Sequence, residues 1–472
     1  MSSPAIWIIF PLCASLLLFI FRRHDGIIWT IGLVLTVLLA WLSWQLPIAN
    51  TITLELGIAK PSFFITDSFS VLGRLFILND NSRPALLLIY LSTSVWLGGI
   101  RVVKKNRLDI PFGIMAASFL STALAVKPDL YAILFIELAV FCYIPMLTLP
   151  NESSRRSVIR FIVIQTIGMC FILYANWSLD QIDQNTAIIS QLTSLILGFA
   201  IVLAIFPFQS WLPALVEQSH PFSIGLALFV IPTVILVTLV NIVLRFVLLG
   251  ITDEIILILR IAASLMVISG GLFVFFEKNL ARIMGFAVTI QIGLALFTVS
   301  LLGGNLRPSI PTGFFYAQIV IWGATFAIWS FAITLIHDFR NSLDLKATQG
   351  IFFQMPFACT ALLIAHFSSS GAPLLASFPL LFTAWSSLAS SDIVFALISF
   401  SGCILLLMIG WRVLRNLFTV TDHQFAYRAL EPKIAIALLG IGVVVLFILG
   451  IFPQVFLPPL MDLGARLFGM EI

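Results

Sequence analysis

The sequence predicts an all-α polytopic membrane protein of about fourteen transmembrane helices, two of them broken. Of its 472 residues, 60% are hydrophobic and 10% are charged. Soluble domains carry about 25% charged residues. The mean hydropathy is +1.12, and the apolar residues form runs of about the 20 residues that a spanning helix needs. We therefore expect a multi-pass protein that lies almost wholly in the membrane and contacts lipid.

The apolar runs define fourteen candidate spans. They cover residues 4–20, 27–47, 84–100, 109–126, 129–149, 159–177, 187–206, 222–247, 254–276, 282–303, 312–336, 351–389, 391–416 and 433–457. The first run lacks a basic flank and a small-residue cleavage site, so we expect a retained helix and not a signal peptide. Residues 48–83 alternate polar and apolar side chains, which predicts an interfacial segment or a short hairpin. No long lateral helix is expected after the fourteenth span.

Two spans contain helix-breaking residues. Residues 351–389 are too long for one straight crossing and include Ser-Ser-Ser-Gly-Ala-Pro at 368–373, where glycine is flexible and proline lacks a donor. A second interruption follows the seventh span, at 207–213 and 217–221. Non-helical backbone at membrane depth persists only where protein buries it or water reaches it. Broken helices in both halves of a bundle are typical of transporters.

Basic residues predict the topology, because cytoplasmic loops favour Lys and Arg. Alternating crossings place most of them on one side: Arg22, Arg23, Arg101, Lys104, Lys105, Arg107, Arg155, Arg156, Lys278, Arg282, Arg340 and Lys346. If residues 351–389 cross once, Arg412, Arg415, Arg428 and Lys433 join that side; if they cross twice, these residues lie outside. The sequence therefore favours one broken helix, fourteen crossings of the cell membrane and two non-cytoplasmic termini.

Glu137 is the candidate proton-transfer residue. It lies in the apolar run from Leu130 to Leu149, which contains no other charge. A charged side chain at the bilayer centre costs several kcal/mol, so acids at such positions usually have a function. The alternative is a carboxyl group that stays protonated and avoids the charge penalty.

Six further polar residues are candidates for a path across the membrane: Gln165, Gln209, His220, Gln291, Gln318 and His366. The glutamines are expected either to line water or to make the interhelical hydrogen bonds that polar side chains commonly form in membranes. His220 and His366 adjoin the two interruptions. A histidine there suits a proton relay, and it equally suits hydrogen bonding to free backbone groups.

The sequence predicts no cofactor, metal site or redox centre. The five cysteines are scattered through apolar runs without a C-x-x-C pair: Cys13, Cys142, Cys170, Cys359 and Cys403. There is no nucleotide-binding glycine loop and no pair of haem histidines. The net charge of +4 follows from the basic loops and predicts no nucleic-acid partner. Any catalysis would be transfer of protons or cations.

Four segments, at 206–223, 277–293, 355–378 and 449–454, carry motifs that point to one family. The first is similar to the pattern P-F-H-x-W-L-P followed by A-P-T-P-V-S, with Gln209 in place of the histidine and Ser219 in place of a proline. Together the four segments resemble the antiporter-like membrane subunits of respiratory complex I (NADH:quinone oxidoreductase), the Mrp sodium/proton antiporters and the membrane hydrogenases. The chain is identified as a divergent member.

The resemblance implies one transmembrane domain with an antiporter-like inverted repeat. Its parts would be the N-terminal spans and interfacial segment at 1–108, a first half at 109–248, a second half at 249–416 and a C-terminal span at 417–472. It also implies partners, namely other membrane subunits of a complex I-like, hydrogenase-like or Mrp-like assembly.

The resemblance further implies a mid-membrane polar axis in which protons move between a glutamate and several lysines. Glu137 matches the fifth-span glutamate. The expected lysine of the seventh span falls at Val202, that of the eighth at Leu236 or Val237, and the basic or acidic group of the twelfth at Leu381. The glutamate is therefore present, but aliphatic residues stand at the positions where the resemblance implies its partners.

Three functions stay open on the sequence alone. The chain is a proton- or cation-translocating subunit of such a complex, or a non-conducting homologue that acts as a scaffold. The third possibility is an independent secondary transporter, which needs a substrate site that the sequence does not reveal.

Overall fold

A computed structural model describes residues 2–48, 51–53, 62–71, 73–103, 108–127, 131–179, 188–248, 252–304, 306–419 and 429–470. The described chain is mainly helical because a lipid environment requires each backbone polar group to be satisfied within the protein. The helices are α1 (Phe10–Ile20), α2 (Asp25–Gln45), α3 (Arg83–Val103), α4 (Asp109–Ala125), α5 (Ala132–Leu147), α6 (Glu152–Leu179), α7 (Ile188–Val202), α8 (Trp211–Gln218), α9 (Pro221–Leu248), α10 (Thr252–Phe276), α11 (Leu280–Val299), α12 (Ser309–Arg340), α13 (Pro356–Ser369), α14 (Phe378–Ser391), α15 (Ile393–Phe418), α16 (Lys433–Ile451) and α17 (Pro453–Leu467). A short π-helix, Ala5–Ile9, precedes α1.

The predicted spans correspond to these helices. Nine described helices are long and apolar enough to cross a membrane, and five shorter apolar helices complete the set of fourteen. The prediction for residues 433–457 was wrong in one respect, since α16 ends at Ile451 and Pro453 begins the separate helix α17. Proline is favourable at the first position of a helix, where its missing N–H has no intrahelical partner.

Residues 48–83 form the predicted hairpin structure where they are described. Strands β1 (Thr51–Thr53) and β2 (Ser62–Phe64) pair antiparallel. Strands β3 (Ser68–Val71) and β4 (Arg74–Ile77) form a hairpin, and β4 also pairs with β5 (Val126–Lys127) between α4 and α5. These strands tie the segment before α3 to one end of the bundle.

Both predicted interruptions are present. The first broken span consists of α7, the non-helical residues 203–207, a 3-10 turn at Phe208–Ser210 and α8, with a cis peptide bond before Pro207 and a left-handed Ala204 (φ 56°). Pro213 was predicted to lie in the break, but it is the third residue of α8, where proline is tolerated in the first turn. The second broken span consists of α13, residues 370–377 and α14. Its break contains Gly371 at φ 74°.

Backbone and side-chain hydrogen bonds gather several helix ends at one end of the bundle, which we call the basic end. The Leu280 N–H donates to the Leu343 carbonyl oxygen at 2.9 Å, which joins the start of α11 to the segment after α12. Asn416, near the end of α15, donates through Nδ2 to the Leu345 carbonyl oxygen at 2.6 Å. The Leu430 N–H bonds the Gln354 carbonyl oxygen at 3.0 Å.

These contacts determine how the second broken span runs. The start of α13, the end of α15 and the start of α16 all lie at the basic end, so α14 ends at the opposite end. The segment from α13 to α14 therefore traverses the bundle once, as the single broken helix that the charge pattern favoured. Arg412, Arg415 and Lys433 consequently lie toward the same end as Arg101 and Arg340.

The described chain ends both lie at the end opposite the basic end. The Ser3 N–H bonds the Thr66 carbonyl oxygen beside the small sheet. At the other terminus, a Cβ built on Gly464 of α17 would lie 2.8 Å from the carbonyl oxygen of Thr312, in the first turn of α12. The two termini therefore share one side of the bundle.

Burial separates the core from the perimeter. All residues in the apolar part of α11 are buried, whereas only 17% of the residues in the apolar part of α16 are buried. Helix α11 is therefore the central helix, and α16 presents most of its surface outward. The division of the chain into halves at 109–248 and 249–416 stays a prediction.

Candidate functional site

Glu137 lies on α5 and bonds to the neighbouring helix α6. The Thr166 hydroxyl donates a hydrogen bond to Glu137 Oε1. Glu137 Oε2 is buried and has no hydrogen-bond partner among the described residues. The carboxyl group thus keeps one oxygen available for a proton or for a donor that the described chain does not supply.

The position of Glu137 on α5 differs from a deep core position. Leu134, Leu138 and Phe141 are exposed, whereas Ile136 is buried on the other side of the helix. With 100° between successive residues, Glu137 lies at the boundary between these two faces. The acid is therefore at the rim of the bundle, beside a surface that lipid or another subunit contacts.

Helix α6 connects Glu137 to the first broken span. Gln165, next to Thr166, donates through Nε2 to the Val202 carbonyl oxygen at 3.1 Å. Val202 is the last residue of α7, at the position where the sequence resemblance predicts a lysine. Two adjacent residues of α6 therefore link the two positions: Thr166 bonds the Glu137 carboxyl group, and Gln165 bonds the Val202 carbonyl oxygen.

Two glycines allow α6 and α7 to pack this closely. A Cβ built on Gly168 would lie 2.6 Å from Val202 Cγ1, and one built on Gly198 would lie 2.5 Å from Ile172 Cγ1. Distances this short are not compatible with a side chain at either glycine. The close approach lets Gln165 reach the backbone at the end of α7.

Gln209 lies in the first break and bonds to α10. The Ser269 hydroxyl donates to Gln209 Oε1 at 3.0 Å, and the Gln209 side chain is buried. This residue stands where the family commonly carries a histidine. Its observed contact is a hydrogen bond between the break and α10.

The second break is held by a similar glutamine contact. Gln291, on the central helix α11, donates through Nε2 to the Ser369 carbonyl oxygen at 2.7 Å. Ser369 is the last residue of α13. A carbonyl at the end of a helix lacks an intrahelical donor, so Gln291 supplies at α13 what Gln165 supplies at α7.

His366 is buried in the last turn of α13. Its Nε2 lies 2.8 Å from the Leu406 carbonyl oxygen, and its ring centroid is 4.8 Å from that of Trp329. The side chain is 2% exposed. The histidine thus packs against an aromatic ring of α12 and forms a hydrogen bond with the backbone of α15.

The remaining two candidates are separate from both breaks. Gln318, on α12, accepts a hydrogen bond from the Thr298 hydroxyl of α11 at 2.7 Å. His220 precedes α9 at the basic end, with its ring centroid 6.3 Å from that of His337. Each of the six polar candidates thus has its own local contact.

The positions expected to carry charge are packed with hydrocarbon. Val202, Leu236, Val237 and Leu381 are all buried. A cavity of about 10 Å³ borders Val202, and another of about 10 Å³ borders Val237. A single water needs roughly 10–15 Å³, so neither cavity holds a chain of waters.

Sequence reasoning missed Thr166, Ser269 and Asp109. Thr166 and Ser269 are ordinary hydroxyl residues in apolar helices, and their roles follow from which helix faces them. Asp109 is 1% exposed at the start of α4 and accepts a hydrogen bond from Ser223. Its signal in the sequence was a carboxylate at the first position of a predicted span.

The sequence matches the model of a protein family described as "NADH:quinone oxidoreductase/Mrp antiporter, TM" over residues 129–406. Among curated proteins, it is 25% identical over 284 residues to NADH-quinone oxidoreductase subunit N of Francisella tularensis subsp. holarctica. That match covers 58% of this chain and 56% of the relative, so the chain spans about half the length of this curated relative.

Two solved structures share the fold over nearly the whole chain. A chain of the Mrp complex from Dietzia sp. superposes with a TM-score of 0.80 at 14% identity, covering 99% of this chain and 97% of that one. A chain of respiratory complex I from Thermus thermophilus superposes with a TM-score of 0.75 at 18% identity, covering 99% and 100%. At these identities the likeness establishes the antiporter-like bundle.

Proposed function

Since the chain belongs to the NADH:quinone oxidoreductase/Mrp antiporter family of membrane proteins, we propose that it is a membrane subunit of a proton- or cation-translocating complex of that type. Within the complex, Glu137 is its proton-exchanging group. The core between the two broken spans is not a complete proton path on its own.

The observation that carries this proposal is the contrast between Glu137 and Val202. The acid has one buried oxygen without a described partner. One helix away, Val202, at the position where the resemblance predicts a lysine, is aliphatic and buried. A relay needs successive groups within hydrogen-bond reach or joined by water, and the cavity beside Val202 is too small for a row of waters.

The rim position of Glu137 supports a role that depends on a partner. The exposed apolar residues of α5 continue onto α6, where Ile159, Val163 and Ile167 are exposed. A neighbouring subunit that packs there brings its own side chains close to the carboxyl group. Solved relatives of this fold come from structures described as an Mrp complex and respiratory complex I.

The basic end supports a membrane orientation. Cytoplasmic loops favour Lys and Arg, and the loops at the basic end carry most of these residues. We infer that the basic end faces the cytoplasm and that both termini face away from it.

Proton translocation by the reconstituted native complex tests the role of Glu137. Glu137→Gln keeps the size of the side chain and an acceptor for Thr166, but it removes the exchangeable proton. We expect the translocation rate to fall several-fold. Glu152→Gln is the matched control, because Glu152 is exposed and pairs with Arg156 of the same helix. Repeating the measurement with Na⁺ and K⁺ gradients identifies the ion.

A second candidate function is a non-conducting scaffold, and the hydrocarbon packing at Val202, Leu236 and Leu381 favours it. In this case Glu137 stays protonated and Glu137→Gln translocates at the wild-type rate. Complex assembly, measured by co-purification of the partner subunits, would then be the activity that depends on this chain.

A further inference from the structure

Arg260 is a partly exposed cation on the membrane-facing surface, toward the end opposite the basic end. It lies about two turns inside the start of α10. Helix α10 ends at the basic end, where Arg412 Nη1 donates to the Phe275 carbonyl oxygen at 2.7 Å. The part of α10 from Arg260 to Phe276 is about 24 Å long, close to the roughly 30 Å of a hydrocarbon core. Because an arginine side chain extends its charge toward water, the guanidinium lies at the depth of the lipid headgroups.

Contacts with two other helices hold the Arg260 guanidinium in place. Its Nη2 donates to Ser391 Oγ at 3.1 Å, and its Cζ lies 5.5 Å from the centroid of the Phe395 ring. Ser391 is the last residue of α14, and Phe395 is in the first turn of α15. Arg260 Nε is buried and has no acceptor among the described residues. A guanidinium has five N–H donors, so this one is positioned with fewer acceptors than it can use.

A carboxylate lies beside this cation without pairing with it. Asp392 directly follows Ser391, and its Oδ1 accepts from the Val394 N–H at 2.9 Å, which caps α15. Among the described residues, no carboxylate forms an ion pair with Arg260. Asp392 is also partly exposed. The surface at the turn from α14 to α15 therefore presents one positive and one negative charge side by side.

A groove of exposed apolar side chains runs from Arg260 toward the middle of the membrane. Helices α10 and α15 pack closely at Gly271, where an added Cβ would lie 2.8 Å from Leu405 Cδ1. With 100° between successive residues, the exposed positions of both helices fall on one side of this contact. They include Leu265, Ile268, Leu272, Leu397, Ile404 and Met408. From Arg260 to Leu272 the groove is about 18 Å long, close to the roughly 15 Å depth of one leaflet's hydrocarbon.

We propose that Arg260 and Asp392 bind the headgroup of one phosphatidylethanolamine molecule in the leaflet away from the basic end. The phosphate accepts hydrogen bonds from the Arg260 Nη groups, and the lipid ammonium donates to the Asp392 carboxylate. The acyl chains lie in the groove between α10 and α15. Pairs of guanidinium and phosphate form strong, charge-assisted hydrogen bonds. The inference is independent of proton translocation and of Glu137.

The charges and the groove favour a phospholipid over a carboxylate from a partner protein. A partner's carboxylate would pair with Arg260 but would be repelled by Asp392, and like charges brought together at an interface are costly. A zwitterionic headgroup pairs with both residues. The groove also begins at the charged pair and has the length of acyl chains in one leaflet.

Native mass spectrometry of the purified full-length chain tests the headgroup preference. Phosphatidylethanolamine, phosphatidylcholine and phosphatidylglycerol with identical acyl chains are titrated separately, and the Kd of the first bound lipid is measured. We expect phosphatidylethanolamine to bind about tenfold tighter than phosphatidylcholine, whose trimethylated nitrogen has no N–H donor. It should also bind more tightly than anionic phosphatidylglycerol. Equal affinities of the wild type for the three lipids would overturn the site.

Two arginine variants show whether the preference belongs to this position. Arg260→Gln should abolish the preference for phosphatidylethanolamine. Arg245→Gln is the matched control and should keep it, since it removes an exposed arginine from α9 at the same end of the bundle. A preference that survives Arg260→Gln would overturn the assignment to Arg260.

Asp392→Asn separates the two halves of the site. Asparagine caps a helix as well as aspartate does, so α15 keeps its capping hydrogen bond while the negative charge is lost. We expect the preference to change from phosphatidylethanolamine to phosphatidylglycerol. An unchanged preference would refute the role of Asp392. Inorganic phosphate at millimolar concentration should not displace the lipid; displacement would show a site for a free anion.

Photocrosslinking identifies the occupant within the native complex. Benzoylphenylalanine replaces Leu257, an exposed residue about one turn outside Arg260 on α10, and native membranes are irradiated before purification. We expect an adduct with the mass of a phosphatidylethanolamine, in several-fold lower yield when Arg260→Gln is added. An adduct with a partner subunit in the protein that retains Arg260 would overturn the lipid site, because it would show that protein covers this surface.

Discussion

The first and second broken spans share one structural solution and differ in their chemistry. At the first, Gln165 donates to the Val202 carbonyl at the end of α7; at the second, Gln291 donates to the Ser369 carbonyl at the end of α13. Each amide satisfies a carbonyl that the helix end leaves without a donor. An unsatisfied group of this kind is costly in a membrane.

The difference lies in what surrounds each break. Beside the first, α6 carries Thr166 with its hydrogen bond to Glu137. Beside the second, the titratable neighbour is His366, which contacts Trp329 and the Leu406 carbonyl. The comparison shows that the broken-helix scaffold is maintained by neutral amides, whether or not an acid is nearby. The hydrogen bonds that hold the breaks therefore do not depend on the position of the acid.

The largest expected effect comes from placing a lysine at each break. Leu381→Lys buries a charge with no acid nearby in the described structure, and we expect it to lower the free energy of unfolding by about 3 kcal/mol. Val202→Lys is expected to lower the free energy of unfolding by less, because the Glu137 carboxyl group across α6 can pair with the new ammonium group. Thermal unfolding of the purified chain in detergent measures both, and adding Glu137→Gln should remove the advantage of Val202→Lys. Equal losses without that dependence would show that Glu137 is out of reach.

The next largest effects are expected at the two glutamines that bond carbonyl groups at the ends of α7 and α13. Gln165→Leu and Gln291→Leu each leave a buried carbonyl without its donor, so each is expected to destabilise the chain by about 1–3 kcal/mol. Gln318→Leu is the matched control, since the Thr298 hydroxyl that it releases can donate instead to the Leu294 carbonyl oxygen, 3.1 Å away. A loss for Gln318→Leu as large as for the other two would contradict the capping role.

A smaller effect is expected at His366. His366→Phe keeps a ring against Trp329 and removes the hydrogen bond to Leu406, which is worth about 1 kcal/mol. Translocation by the complex should stay at the wild-type rate. A several-fold slower rate at unchanged stability would assign His366 to the proton path.

The smallest effect is expected at Thr166. Thr166→Val keeps the shape of the side chain and removes one hydrogen bond to Glu137, which lowers stability by about 1 kcal/mol or less. The carboxyl C=O stretching band of Glu137, identified by its absence in Glu137→Gln, should shift in the infrared spectrum. An unshifted band would mean that the hydroxyl does not contact the acid.

Much of this fold follows from the sequence because a membrane restricts the possible backbone structures. Long apolar runs predict the spanning helices, and Gly371 and Pro373 predict the second break. The basic residues near Arg412 predict that this segment runs through the bundle once. These features depend on local composition, which one sequence displays directly.

The site was less predictable because its contacts join distant helices. The sequence identifies Glu137 as costly in the membrane, but its place at the rim depends on which face of α5 packs inward. That Gln165 and Gln291 have matching roles depends on the close approach of α6 to α7 and of α11 to α13. The hydrogen bond from Ser223 to Asp109 joins the starts of α9 and α4, and the sequence pattern at Asp109 does not reveal that contact.

The most direct test of a proton path that is incomplete without partners is passive proton flux through the purified chain alone. The chain is reconstituted into liposomes with a pH gradient, valinomycin and K⁺ clamp the membrane potential, and an internal dye reports the pH. We predict that the gradient decays at the same rate for the wild type, for Glu137→Gln and for protein-free liposomes. Faster decay with the wild type that Glu137→Gln abolishes would contradict the proposal, since it would show a complete path within this single chain.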